Sequence, residues 1–264
     1  MKELSLHFLG KDSVLYDKSI ELPDEVYDTI KSIIGSKKPD EEVFDKVSSG
    51  DVSSLLKSIY GDAISPKVLR TAKCNMTLID ALKRENVSKR DSEADKIRAL
   101  YRANLEIAKT LNHQKNVAKN QKEQESKLKE KASLQSEKLV ALREKQKAQL
   151  EKIRADKKKA KIALKSKPEM LKARLDALKE REAKMKLQLE RAEERIDKAK
   201  FNLEKKRETA DINLGTSLAS YADFRVIYSW CKDVGLDPKR VYNKSLFERS
   251  QWAADTPASF WRGI

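Results

Sequence analysis

Residues 114–208 constrain the fold more than any other stretch of this chain. They are rich in Lys, Glu, Gln, Ala and Leu, contain no glycine, and carry a single proline, Pro168. In the second half, Leu171, Leu175, Leu178, Met185, Leu189, Ala192, Ile196, Ala199 and Leu203 recur at alternating four- and three-residue spacing, with Glu182 as the exception. That spacing is the heptad signature of a helix burying a narrow apolar seam against a second helix. The first half is less regular, with Leu128, Leu139, Leu142, Leu150, Ile153, Ala160 and Leu164. Ser166-Lys167-Pro168 is the one clear break. A short connection between two long helices turns them antiparallel, so the segment predicts a hairpin several tens of ångström long, at about 1.5 Å per residue. Such a hairpin returns the chain close to where it left, so residues on either side of it can meet.

Charge concentrates in the same segment. The chain's net charge is +15; residues 114–208 hold 31 Lys+Arg against 17 Asp+Glu, an excess of 14, while the remainder holds 26 against 25. A basic helical arm is either a solvated spacer or a surface for a polyanion such as nucleic acid. The 38% of charged residues and 6% of aromatics suit long solvated helices beside a modest core. Cys74 and Cys231 stand alone, which supports neither a disulfide framework nor a cysteine-based metal site. No apolar run is long enough to span a membrane and no secretory leader is recognisable, so neither a membrane span nor secretion is expected, and no GxxxxGK[ST] loop points to nucleotide-driven chemistry.

The flanks read as mainly helical, with one small hairpin. Leu4, Leu6 and Phe8 alternate with Ser5 and His7, turn residues follow at Gly10-Lys11-Asp12-Ser13, and a second extended run begins near Val14. Lys11 falls at or near the hairpin tip, and His7 reads as a surface histidine. Helices are expected over 24–34, over the 40–47 stretch DEEVFDKV, and over 53–60 closed by Gly61. Pro66 suits the start of another, with Lys67 and Arg70 one turn apart and Val68, Leu69 and Met76 as apolar anchors. A further helix, with Leu100, Tyr101, Leu105 and Leu111 inward, ends near His113, a residue that could simply cap or pack. Beyond the basic arm, a polar loop from Gly215 to Ser220 presents Tyr221 on an exposed lip. An amphipathic helix follows, capped by Asp223, buried through Val226, Ile227, Trp230, Cys231 and Val234, and ended by Gly235. Ser245-Leu246-Phe247-Glu248 reads as a capping box for a helix that buries Trp252. The tail TPASFWRGI carries no assignment.

A phenol held on a loop can act as a nucleophile, but one tyrosine among seven is equally a packing residue. The stretch LGTSLASYADFRVIYSWCKDVGLDPKRVYNKSLFERSQWA resembles the C-terminal domain of eukaryotic DNA topoisomerase IB, where a Gly-Thr-Ser-Lys-x-x-Tyr loop carries the DNA-cleaving tyrosine. HFLGKDSVLYDKSI is similar to that family's Gly-Lys-Asp hairpin, PKVLRTAK to its phosphate-binding arginine segment, and YRANLEIAKTLNHQK to its helix ending in Asn-His-Gln. The basic hairpin takes the place of the family's coiled-coil linker. Leu218 stands where the family has lysine, and Ser220 where it usually has asparagine.

The resemblance implies the partial catalytic fold shared by tyrosine recombinases and topoisomerase IB. It divides the chain into residues 1–113 as the end of the catalytic core, 114–208 as the linker and 209–264 as the tyrosine domain. It implies Tyr221 as nucleophile, Arg70 and His113 as stabilisers of the phosphate oxygens, and Lys11 as general acid. Lys11, Asp12, Lys67, Arg70, Asn112 and Thr216 become the DNA contacts. No metal or cofactor is called for. The expected partners are double-stranded DNA and an upstream core region or separate large subunit, because the family's second arginine lies upstream of the hairpin. The expected location is the nucleus or an organelle. Two alternatives stay open: a tyrosine recombinase, and a degenerate, non-catalytic coiled-coil DNA-binding protein.

Overall fold

The computed structural model describes residues 2–10 and 13–263. The chain forms two compact units, one from residues 1–116 and 211–264 and the other from 117–210.

In the first unit, β1 (Glu3–Leu9) and β2 (Leu15–Glu21) pair antiparallel from Glu3 opposite Glu21 to Leu9 opposite Leu15. The alternation places Leu4 and Leu6 on the half-buried face and Ser5 and His7 outside. Cross-strand pairs bind the ribbon: Phe8 stacks on Tyr16 at 4.9 Å, and Ser5 and Ser19 share a hydrogen bond of 2.9 Å. Helix α1 (Asp24–Gly35) follows, then α2 (Ser49–Tyr60), which opens on a capping box between Ser48 and Asp51. Gly61 closes it at φ 92°, a backbone region that side chains disfavour. The helix expected over 40–47 is absent; the stretch is a series of turns. Phe44 and Val47 remain 59% and 51% exposed, so nothing rewards a helix too short to stand alone.

The core lies between α3 (Pro66–Glu85), α4 (Glu93–Thr110) and α8 (Phe224–Val234). Cys74, Leu78 and Leu82 of α3 meet Ala99, Ala103 and Ile107 of α4 and Val226, Ile227 and Trp230 of α8. The expected anchors Val68, Leu69 and Met76 are exposed instead, because the buried residues of α3 lie in its later turns. Helix α8 begins at Asp223, whose carboxylate accepts from the Arg225 N–H, and ends at Gly235 in the left-handed region at φ 67°, both as expected. The capping box at Ser245 is corrected: the last helix, Lys244–Ser250, is capped by Asn243. Trp252 is 65% exposed, and the buried tryptophan beyond α8 is Trp261 of the tail. The Trp261 N–H donates to Ser229 Oγ at 3.0 Å, and its indole N–H donates to Asp233 Oδ2 at 3.1 Å. The tail thus closes the outer side of α8.

The second unit is a helical hairpin. Helix α5 (Gln121–Ala163) spans 43 residues, about 65 Å at 1.5 Å per residue, and α6 (Pro168–Glu208) spans 41. Cross-links run from the open end inward: Arg207 to Glu125 at 2.6 Å, Arg143 to Glu193 at 2.7 Å, and Lys157 to Glu182 at 2.7 Å. Partners draw together in number toward Leu164–Lys167, as an antiparallel pair requires. Leu178, Met185, Ile196 and Ala199 of the heptad are fully buried, and Glu182, its exception, sits half-buried on Lys157. The seam of α5 is as regular as that of α6, but polar residues hold several of its positions. Gln121, Gln146 and Ala132 are buried beside Leu139, Ile153 and Ala160. Gln146 Nε2 satisfies itself on the Met185 carbonyl at 2.7 Å.

Candidate active site

The C-terminal end of α4 places a histidine. Leu111 caps the helix, Asn112 adopts φ 55°, and two backbone bonds close the turn: Asn112 N–H to the Lys109 carbonyl at 3.1 Å and His113 N–H to the Ala108 carbonyl at 2.8 Å. This is a Schellman turn with asparagine in the left-handed position usually given to glycine. The strand that returns from the basic hairpin locks it. Asn213 N–H donates to the His113 carbonyl at 2.7 Å, Lys115 N–H donates to the Asp211 carbonyl at 2.8 Å, and Gln114 bridges Ile212. His113 and the segment after the hairpin are therefore neighbours in space.

That segment is a short helix, α7 (Leu214–Ser220), not the loop expected from sequence. Asn213 accepts from the Gly215 N–H at its start, and Asn104 of α4 donates to the Leu214 carbonyl at 3.2 Å. Tyr221 terminates the helix and is half-buried, not on an exposed lip. Its backbone is held from α3: Asn75 Nδ2 donates to the Tyr221 carbonyl at 3.1 Å while Asn75 Oδ1 accepts from the Asp223 N–H at 2.8 Å. Asn75 falls within the family resemblance around Arg70, but one amide on an otherwise ordinary helix carries no sign of this role.

Arg70, a turn and a half earlier on α3, donates from Nη2 to the Leu111 carbonyl at 3.0 Å. Its guanidinium carbon lies 5.2 Å from the Tyr221 ring centre, within cation–π range. The His113 ring lies 5.2 Å from the same phenol, tilted by 36°. Arginine, histidine and tyrosine thus come from three elements to one point. They line a cleft of about 470 Å³ with Asn112, Thr216, Phe8, Gly10, Val14 and Tyr16. Lys11 and Asp12 lie outside the described residues; their neighbours Gly10 and Val14 line the cleft. Lys67 is exposed on the first turn of α3 and is not among the lining residues.

His113 is 9% exposed. Nδ1 lies 2.8 Å from the fully buried Ser217 Oγ, and Nε2 is buried with no hydrogen-bond partner among the described residues. Burial first, and the charge of Arg70 second, hold its pKa below the usual imidazole value. The competing nucleophiles are disarmed by burial. Cys74 and Cys231 have thiols pushed up to about 12, and burial likewise drives the Tyr242 phenol upward. Tyr228 is buried on Ser250. The two departures at 218 and 220 do not touch the cleft: Leu218 packs against the core and lines a separate hollow with Val241 and Leu246, and Ser220 is exposed. Among the described residues there is no grouping of His, Cys, Asp and Glu that could hold a metal, and no helix is long and apolar enough to cross a membrane.

Comparison with known proteins agrees with this geometry. A family profile described as the catalytic core of eukaryotic DNA topoisomerase I matches residues 1–150, and one described as the C-terminal topoisomerase domain matches residues 193–262. The protein named DNA topoisomerase 1 in Caenorhabditis elegans is 32% identical over 94% of this chain and 27% of its own length. The human protein of that name is 30% identical over 94% of this chain and 30% of its own length. In Rattus norvegicus, the protein named mitochondrial DNA topoisomerase I is 27% identical over 95% of this chain and 39% of its own. The chain thus spans well under half of each of these relatives. With both profiles matched and more than half of its length inside the first, the chain belongs to the eukaryotic DNA topoisomerase I family.

Proposed function

We propose that this chain is the strand-cleaving portion of a type IB DNA topoisomerase. The carrying observation is the meeting of Arg70, His113 and Tyr221 at one cleft, from segments up to 151 residues apart. Tyr221 Oη attacks a DNA phosphorus and gives its proton to water. The bond from phosphorus to the 5′-oxygen breaks, and Lys11 supplies the proton that makes this oxygen a free hydroxyl. Arg70 and His113 stabilise the charge that builds on the phosphate oxygens, as donors do in an oxyanion hole. The 3′-phosphotyrosine is a phosphodiester like the bond it replaces, so the reverse step reseals the strand without ATP, and the duplex relaxes in between. Nucleophile, charge and proton all come from side chains, and the reading calls for no metal or cofactor.

The basic hairpin adds sequence-independent affinity for duplex DNA through phosphate contacts. The cell compartment follows the substrate, as nucleus or organelle; one relative is named as mitochondrial. A region upstream of β1, on the same chain or a separate subunit, completes the clamp and supplies a second arginine.

The test combines the chain with the upstream region of a longer relative and a DNA strand whose cut releases a short, dissociating 5′-end. A covalent adduct accumulates, peptide mapping finds it on Tyr221, and Tyr221→Phe abolishes it while binding survives. An adduct on Tyr228 or Tyr242 overturns the site; no adduct at all turns the chain into a non-catalytic DNA-binding homologue. Replacing residues 116–206 by a short bridge should flatten the salt dependence of binding, and an unchanged slope would leave the hairpin as a spacer.

A further inference from the structure

Ser217 is the most completely buried polar group near the cleft, and the reaction as described gives it no part. Its Oγ lies 2.8 Å from His113 Nδ1. Both residues sit in fixed backbone: His113 in the Schellman turn and its bridge to 211–213, and Ser217 in the middle of α7 with its carbonyl accepting from Tyr221 and Ala222 at 3.1 and 2.9 Å. The hydrogen bond therefore joins two rigid elements, not two loose side chains.

A neutral imidazole carries one N–H, and the partner of one nitrogen decides which atom bears it. If the Ser217 hydroxyl donates to Nδ1, the proton resides on Nε2. Nε2 is then a donor, buried and without a partner among the described residues, on a ring that lines the cleft. If Nδ1 held the proton, Nε2 would be a bare acceptor and would repel a phosphate oxygen. The choice matters here because desolvation and the charge of Arg70 both disfavour the imidazolium form, in which both nitrogens donate. The groups facing the ring are Arg70 from α3 and Tyr221 and Ser217 from α7 and its end; no carboxylate among the described residues is recorded against it.

We infer that Ser217 is a positioning residue that fixes His113 as the Nε2–H tautomer, so that a neutral histidine can donate to the scissile phosphate. The inference rests on the strand-cleaving reading, but its first test does not. The chain has two histidines, His7 and His113, so nitrogen-15 labelling of histidine gives two ring systems, and the exposed His7 beside Asp17 serves as the internal reference. In the whole chain at pH 7.5, the long-range proton–nitrogen spectrum should show His113 protonated at Nε2 and bare at Nδ1. A proton on Nδ1 overturns the inference. Ser217→Ala should mix the two tautomers and slow adduct formation by roughly five- to tenfold, the rate equivalent of one hydrogen bond. Ser217→Thr, which keeps the hydroxyl, should restore the native tautomer. An alanine variant with native tautomer and rate also overturns it. Should the alanine variant fail to fold, the native spectrum decides alone. A native chain with the Nε2–H tautomer that forms no adduct even with the upstream region supplied overturns the cleavage reading and leaves the positioning supported.

Discussion

The hairpin of residues 117–210 and the unit formed by 2–116 and 211–263 carry their information in opposite ways. Along the hairpin the information is a repeat: α5 and α6 meet at every four and then three residues, and any one position matters little to the next. In the other unit it is convergence. Arg70, Asn75, His113, Ser217 and Tyr221 share no period, and local devices of different kinds fix them: a helix turn, a Schellman turn, a cap or a backbone clamp. A repeat dilutes single substitutions. A convergent site concentrates them.

That contrast can be broken by measurement, because all three tryptophans and all seven tyrosines lie outside residues 117–210. Near-ultraviolet circular dichroism and intrinsic fluorescence therefore report on one unit, while the far-ultraviolet signal adds the hairpin, whose two helices hold about half of the α-helical residues. The largest effect is expected for Trp230→Ala. Its ring is wholly buried between α3, α4 and the tail, and truncation should cost about 3–5 kcal/mol. Urea melts should show the near-ultraviolet transition moving to lower denaturant with the helical signal of the hairpin largely retained. Next comes Arg70→Ala, measured as the rate of adduct formation with upstream region supplied. A fall of about 10² to 10³ is expected for loss of one charged transition-state donor, without a shift in either melt, since Arg70 is largely exposed. Smaller is Ile153→Ala, at 1% exposure the most buried residue of the hairpin seam. It should cost about 2–4 kcal/mol in the far-ultraviolet transition and leave adduct formation unchanged. If Ile153→Ala moves the near-ultraviolet signal as well, the two units melt as one and the comparison fails. The smallest effect is expected for Gln146→Leu, which swaps a satisfied seam amide for an aliphatic chain. The change should stay within about 1 kcal/mol of neutral, because the Met185 carbonyl it abandons is already bonded within α6. A loss as large as that of Ile153→Ala would make Gln146 a specific register pin.

The same contrast explains what could be read from sequence. The seam of α6 was visible because leucines mark it. The equal seam of α5 was not, because Gln121, Gln135, Gln146 and Gln149 occupy positions that an apolar pattern skips. The ends of α8 were legible, since Asp223 and Gly235 act locally. The cap at Ser245 and the burial of Trp252 failed for a shared reason. Asn243 competes two residues earlier, and which tryptophan is buried depends on the path of the tail, set by Ser229 and Asp233. The helix expected at 40–47 had a pattern but no surface to pack on. At the cleft, Arg70, His113 and Tyr221 came forward only through their resemblance to a family. Ser217 and Asn75 act through one hydroxyl and one amide, and no pattern of hydrophobicity or charge encodes either.

The bridge between Gln114 and Ile212 also bears on how the molecule assembles. Bringing His113 to Ser217 through an unstructured loop would mean ordering about a hundred intervening residues by chance encounter, a search whose entropy grows with loop length. The hairpin removes that search. From the tight turn at Leu164–Lys167 its two helices zip together through contacts that are each close in sequence to the pair already made, the regime in which chains fold fast. By the time the zipper reaches Gln121 and Lys206, the two strand ends are delivered side by side. The last step is then the closure of a few residues, so this long insertion brings its two ends together instead of holding them apart.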